Sequence, residues 1–158
     1  MNRFLLLSIL LLFSISSCSS RRRNLILPPI GITVNNSNHS EIYVIIDYDK
    51  SNNIFKNAKP TVLNDKELSN IERILEDAVS QYNLFPKNHL DLNKYKKQII
   101  PIINKFGEKE VWINCFCQYN ENWKTEIIRV DDGGDCYFNL KINLTKSKYY
   151  DFFVNGRA

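Results

Sequence analysis

The spacing of apolar residues changes along this chain, and each change marks an element. Phe4 to Ile15 is an apolar run broken only by Ser8 and Ser14. Ile42-Tyr43-Val44-Ile45-Ile46 is a β-branched and aromatic run whose unbroken apolar character predicts a strand covered on both faces. Leu68, Ile71, Leu75, Ala78, Val79 and Tyr82 then fall three or four apart, the stripe of an amphipathic helix from about Asp65 to Asn83. Asn64 and Glu67 stand at capping-box spacing before it, and Pro86 cannot continue the turn beyond it. From Tyr95 the period is that of strands: Tyr95 to Asn104, Lys109 to Tyr119, Trp123 to Val130 and Cys136 to Leu144.

The turns between these runs, Lys105 to Glu108, Asn120 to Asn122 and Asp131 to Asp135, are short, and short connections make antiparallel neighbours. A register that pairs Ile100 with Ile113, Ile113 with Ile128 and Ile128 with Phe138 gathers Ile100, Ile102, Val111, Ile113, Ile128, Val130, Phe138 and Leu140 on one face. Tyr137, Asn139, Lys141 and Asn143 then take the other. Pro101 donates no ladder bond, which predicts an edge or a bulge for its strand. The expected fold is α+β: one strand, one amphipathic helix, then a four-stranded antiparallel meander packed on the helix, within a single domain over 42–158. That layout resembles the cystatin-like fold in topology alone. Where cystatin inhibitors carry a glutamine-valine-glycine hairpin, this chain has Lys105-Phe106-Gly107-Glu108, so protease inhibition is not implied.

The first apolar run carries an address. Arg3 precedes it, small residues follow it, and it is too short for a bilayer core that takes roughly 20 apolar residues. Ile15-Ser16-Ser17-Cys18 resembles the lipobox of bacterial lipoproteins, in which the cysteine is acylated and becomes the first residue of the mature chain. The resemblance implies a signal peptide over 1–17, a lipidated Cys18 with a tether over 18–41, and a membrane-surface protein. Arg21, Arg22 and Arg23 would add about 1 kcal/mol each against anionic headgroups, or stand as a solvated run. In the sorting rule that goes with this resemblance, Ser19 after the cysteine favours transfer to the outer membrane, and arginines where surface-directed lipoproteins carry acids imply a periplasm-facing site, on the cell membrane or outer membrane. Along the tether, Pro28-Pro29 stiffens the backbone and Ile30 to Val34 is a candidate short strand.

Composition fits a small folded body: 158 residues, 44% hydrophobic, 24% charged, net charge +4. The positive balance is slight and interleaved with acids, which argues against nucleic acid as a partner. His39 and His89 fall in loops without a nucleophile or a metal-ligand spacing, and no phosphate loop, zincin helix or nucleophile elbow occurs. No metal or cofactor is expected. Asp131-Asp132-Gly133-Gly134-Asp135 reads as a tight turn rather than a cation loop.

Cys115, Cys117 and Cys136 lie on expected strands, and three readings stay open for them: buried thiols, one disulfide to Cys136, or metal or redox chemistry. The register above sets Cys136 too far from either partner, so bridge and register conflict. Two aromatic groups are candidate binding surfaces: Trp112, Phe116 and Trp123 on one sheet face, and the tail with Tyr149, Tyr150, Phe152 and Phe153, which could equally close the core. The functional expectation is a membrane-tethered, non-catalytic binding or accessory module of the cell envelope with a protein or glycan partner. The alternative is a thiol-dependent redox or enzymatic protein using Cys115, Cys117 or Cys136.

Overall fold

The computed structural model describes residues 41–156, and among these there are one α-helix and six strands in one sheet. Strands β1 (Tyr43–Ile45) and β2 (Lys59–Pro60) precede helix α1 (Asp65–Tyr82); β3 (Lys96–Ile103), β4 (Lys109–Phe116), β5 (Tyr137–Asn143) and β6 (Lys148–Val154) follow it. Across the sheet the order is β1-β3-β4-β5-β6, with β2 paired to β3 beyond the end of β1. β1 runs parallel to β3, and the other pairings are antiparallel. The class is α+β, with more strands than expected. Cys18, the arginine run, His39 and the candidate strand Ile30 to Val34 lie outside the described residues.

Helix α1 forms where its sequence says it should. Asn64 accepts a hydrogen bond from the Glu67 N–H at 2.9 Å, and the Glu67 carboxylate accepts one from the Asn64 N–H at 2.9 Å, so two orphan donors of the first turn are satisfied. Leu68, Ile71, Ile74, Leu75, Ala78 and Val79 are buried on one stripe. They pack on Ile99, Val111, Ile113, Cys115, Phe138, Leu140 and Ile142 of the sheet. Burying each large aliphatic side chain contributes about 1.5–3 kcal/mol, so this helix face is the main source of cohesion. The helix stops before Pro86. The Asn83 side chain clasps the backbone of Leu90 through two bonds of 2.8 Å and turns the chain toward β3.

The register differs from the expected one by a single residue, and the difference inverts a strand. Ile113 pairs with Ile99, not Ile100, and on its other side with Leu140. Because side chains alternate, Ile100 and Ile102 turn to the far face of the sheet, away from α1, and pack on Phe55 and Ala58. Ile128 and Val130 are not in the sheet at all, because Trp123 to Val130 is not a strand. Its expected place is taken by β5, and the fourth strand of the meander is the aromatic tail, β6.

Pro101 sits in an interior strand, with an explanation in the pairing. The Lys97 N–H donates to the Ile42 carbonyl and the Ile99 carbonyl accepts from the Ile46 N–H, so the outer edge of β3 is bonded through residue 99. β2 resumes the pairing only at Ile102 and Ile103. Pro101 falls in the gap between the two short strands, where its missing N–H forfeits no ladder bond.

The Asp131 to Asp135 stretch does not close a hairpin. Asp132 bridges Gly156, and the Gly134 N–H donates to the Gly156 carbonyl at 2.9 Å, so the stretch is pinned beside the residues that follow β6. Gly133 has φ 124°, and a Cβ there would come within 2.6 Å of the Tyr137 ring, so a side chain fails on both counts.

Candidate functional site

The far face of the sheet has no helix over it. It is covered by the connections from β1 to β2 and from β4 to β5, which are irregular and must find backbone partners elsewhere. Two buried amides supply them. Gln98 on β3 and Asn114 on β4 stand opposite each other. The Gln98 amide N–H groups donate to the carbonyls of Trp123 and Glu126, each at 2.6 Å, and its oxygen accepts from the Ile128 N–H at 3.0 Å. Asn114 donates to the Ile128 carbonyl at 2.8 Å and to the Gln98 oxygen at 3.1 Å. No buried side-chain nitrogen or oxygen is left without a partner among the described residues. The segment is thus held to the sheet by side chains and not by a strand.

A disulfide fixes the same connection at its ends. Phe116 pairs with Tyr137, so the next residues outward, Cys117 and Cys136, are brought opposite one another with α-carbons 5.1 Å apart and form the bridge. The register that made this pairing look too distant was wrong because it placed a strand between β4 and β5. Cys115 points to the helix face and is a fully buried free thiol. Burial pushes its pKa up to about 12, against a small opposing pull from Lys97.

Between the two arms of this connection lies a groove of about 470 Å³. Gln118, Tyr119 and Asn120 line one side, residues 126–130 the other, and Tyr137 completes the lining. Trp123 anchors the neighbouring turn. Its ring meets Phe116 and Tyr119 edge-on at 5.9 and 5.8 Å between centroids, and the Lys96 ammonium lies 5.6 Å from the rings of both Trp123 and Tyr119. Contacts of this kind contribute roughly 0.5–1 kcal/mol each at exposed sites. Tyr119 is 50% exposed and presents an aromatic edge at the mouth.

The expected aromatic surfaces divide between core and solvent. Phe116 and Trp123 are buried, holding the connection down, and Trp112 is half-buried against the Ile100–Ile102 cluster with its ring N–H donating to Asn139. In β6, Tyr149 and Phe152 pack toward the helix-side core, and the Tyr149 hydroxyl donates to Gln81 at 2.6 Å. Tyr150 and Phe153 turn outward, and Phe153 is 59% exposed. A bulge at Asp151, φ 50°, sets this division by shifting the alternation by one residue.

A second polar cluster lies on the far face toward the β3–β4 hairpin. Glu110 is buried and accepts from Asn104, Asn143 and the Tyr150 hydroxyl, each at 2.9 Å. Burial, with the Glu110 carboxylate adding to it, raises the Tyr150 pKa. Hydrogen bonds from Lys146, Asn143 and Asn104 lower that of Glu108. These groups satisfy one another and read as a structural clasp.

Sequence reasoning missed Gln98, Asn114, Tyr119, the 126–130 edge and Tyr137. A signal existed for Asn114, a single amide inside the apolar run Val111 to Phe116, which a buried position tolerates only with partners; Gln98, following two lysines, gave none. Among the described residues no group of three or more His, Cys, Asp or Glu could hold a metal ion, and His89 is exposed in a loop. No helix among them is long and apolar enough to cross a membrane. Comparison of the chain with family models, with curated proteins and with solved structures returns no match.

Proposed function

We propose that this chain is a cell-envelope lipoprotein whose folded body is a non-catalytic binding or accessory module, tethered by an acylated Cys18 and facing the periplasm from the cell membrane or outer membrane. The observation that carries the binding reading is the groove beside the Cys117–Cys136 bridge. It is an open depression between irregular segments on a rigid sheet, with Tyr119 and Tyr137 on its walls. Its partner is a protein or a glycan of the envelope. The tether rests on Ile15-Ser16-Ser17-Cys18 alone, and the disulfide supports an oxidising compartment. The cystatin-like layout, a sheet laid around one helix, belongs to the same proposal.

The non-catalytic reading is supported by the state of the thiols. Cys117 and Cys136 are bonded to each other, and Cys115 is buried with a raised pKa, the opposite of what a nucleophilic thiolate needs. The alternative, a thiol-dependent envelope protein, rests on the exposure of Cys117 within the bridge. Titration of the folded, unreduced protein with a thiol reagent near neutral pH separates the two. Silence until denaturant is added is expected, and a fast-reacting thiol supports the alternative. For the tether, the mass of the mature product in membranes should carry acyl chains on Cys18, and Cys18→Ser should release it to the soluble fraction. An unacylated, freely soluble wild-type product contradicts the proposal.

A further inference from the structure

The 126–130 segment is bonded along one edge and open along the other. The carbonyls of Glu126 and Ile128 and the N–H of Ile128 are held by Gln98 and Asn114, and the carbonyl of Val130 is held by the Asn155 side chain. The bonded carbonyls are those of every second residue, the pattern of extended chain, in which neighbouring residues aim their polar groups to opposite edges. Those neighbours are Ile127 and Arg129, and their backbone N–H and C=O groups meet no partner among the described residues. Their side chains are accounted for. Ile127 packs on the Phe55–Ile100–Ile102 cluster, and the Arg129 guanidinium donates to the Asn52 carbonyl at 2.9 Å. What remains is two donor-acceptor pairs, unpartnered among the described residues, at strand spacing along a groove that the same residues line.

We propose that this groove takes an extended peptide segment of a partner protein as an added strand, bonded to the free backbone groups of Ile127 and Arg129. The inference rests on the binding-module reading and narrows its partner to a peptide. Main-chain pairing would supply the affinity, and Tyr119 and Tyr137 would meet alternate side chains of the guest. A sugar would be met by the tyrosine rings and side-chain amides and would have no need of two backbone pairs in register. The exposed edge of β6 is a poorer host, because its Asp151 bulge interrupts the row.

The test uses the full chain in detergent with ¹⁵N-labelled amides. Pools of acetylated, amidated heptapeptides with valine fixed at alternate positions are the probe, and a panel of oligosaccharides is the second arm. At least one peptide pool should shift the Ile127 and Arg129 amides, and N-methylation of the guest at alternate positions should weaken binding about tenfold, as loss of two backbone bonds requires. Arg129→Pro removes one donor and should weaken the same peptide while leaving the unfolding midpoint near that of wild type; if it fails to fold, the N-methylated guests on wild-type protein decide. Binding that ignores N-methylation overturns the inference. So does oligosaccharide binding in the groove without peptide binding, which leaves the binding-module reading standing. No response to either panel at about 1 mM, the weak end of measurable affinity, removes both.

Discussion

The two faces of the sheet are covered by different means. On one, an 18-residue helix lays a continuous aliphatic stripe over β3, β4 and β5, and its own backbone bonds are satisfied internally. On the other, the covering chain bonds to itself only in short turns such as Asn120 to Glu126, so buried Gln98 and Asn114, one disulfide and the Trp123 turn hold it in place. The first solution uses up the backbone groups of its covering element. The second leaves a groove and a backbone edge that is unpaired among the described residues, on a fixed base, which is why the candidate site falls there.

The contrast can be broken from either side. The largest effect is expected from Ile113→Ala at the centre of the helix face, where a fully buried side chain touches both layers. It should cost about 2–5 kcal/mol in urea unfolding and destabilise the fold as a whole. Replacing Cys117 and Cys136 together by serine opens a loop whose ends are 19 residues apart and should cost about 3 kcal/mol. Its signature is local: peaks of residues 118–130 should broaden or move while those of α1 stay. Gln98→Ala should cost about 1–3 kcal/mol, because three backbone groups of the covering segment lose their partner. A loss in Gln98→Ala that spreads equally over α1 would show that the two faces are not separable.

The helix was legible because its stripe and its capping box say the same thing about one element. The register was not, because Ile99-Ile100-Pro101-Ile102-Ile103 is apolar on both sides, and an unalternating run leaves a slip of one residue undetected. Trp123 to Val130 has strand composition, yet two amides on β3 and β4 claim its backbone; that is a tertiary preference and leaves no local trace. The β5–β6 hairpin was hidden by its turn, where Ser147 takes φ 51° in place of the expected glycine or asparagine. The candidate site therefore appeared in the sequence only as cysteines and tryptophans, which turn out to build it from beneath. Besides the tyrosines on its walls, the groups on its edge are backbone, and backbone has no letter.

Native-state hydrogen exchange on the 126–130 amides measures the central asymmetry directly. The Ile128 amide, bonded to buried Gln98, should be protected, and those of Ile127 and Arg129, two residues apart on the open edge, should exchange at rates near those of free chain. Equal protection at all three would mean that the edge is already paired, and would contradict both the site and the strand-addition inference.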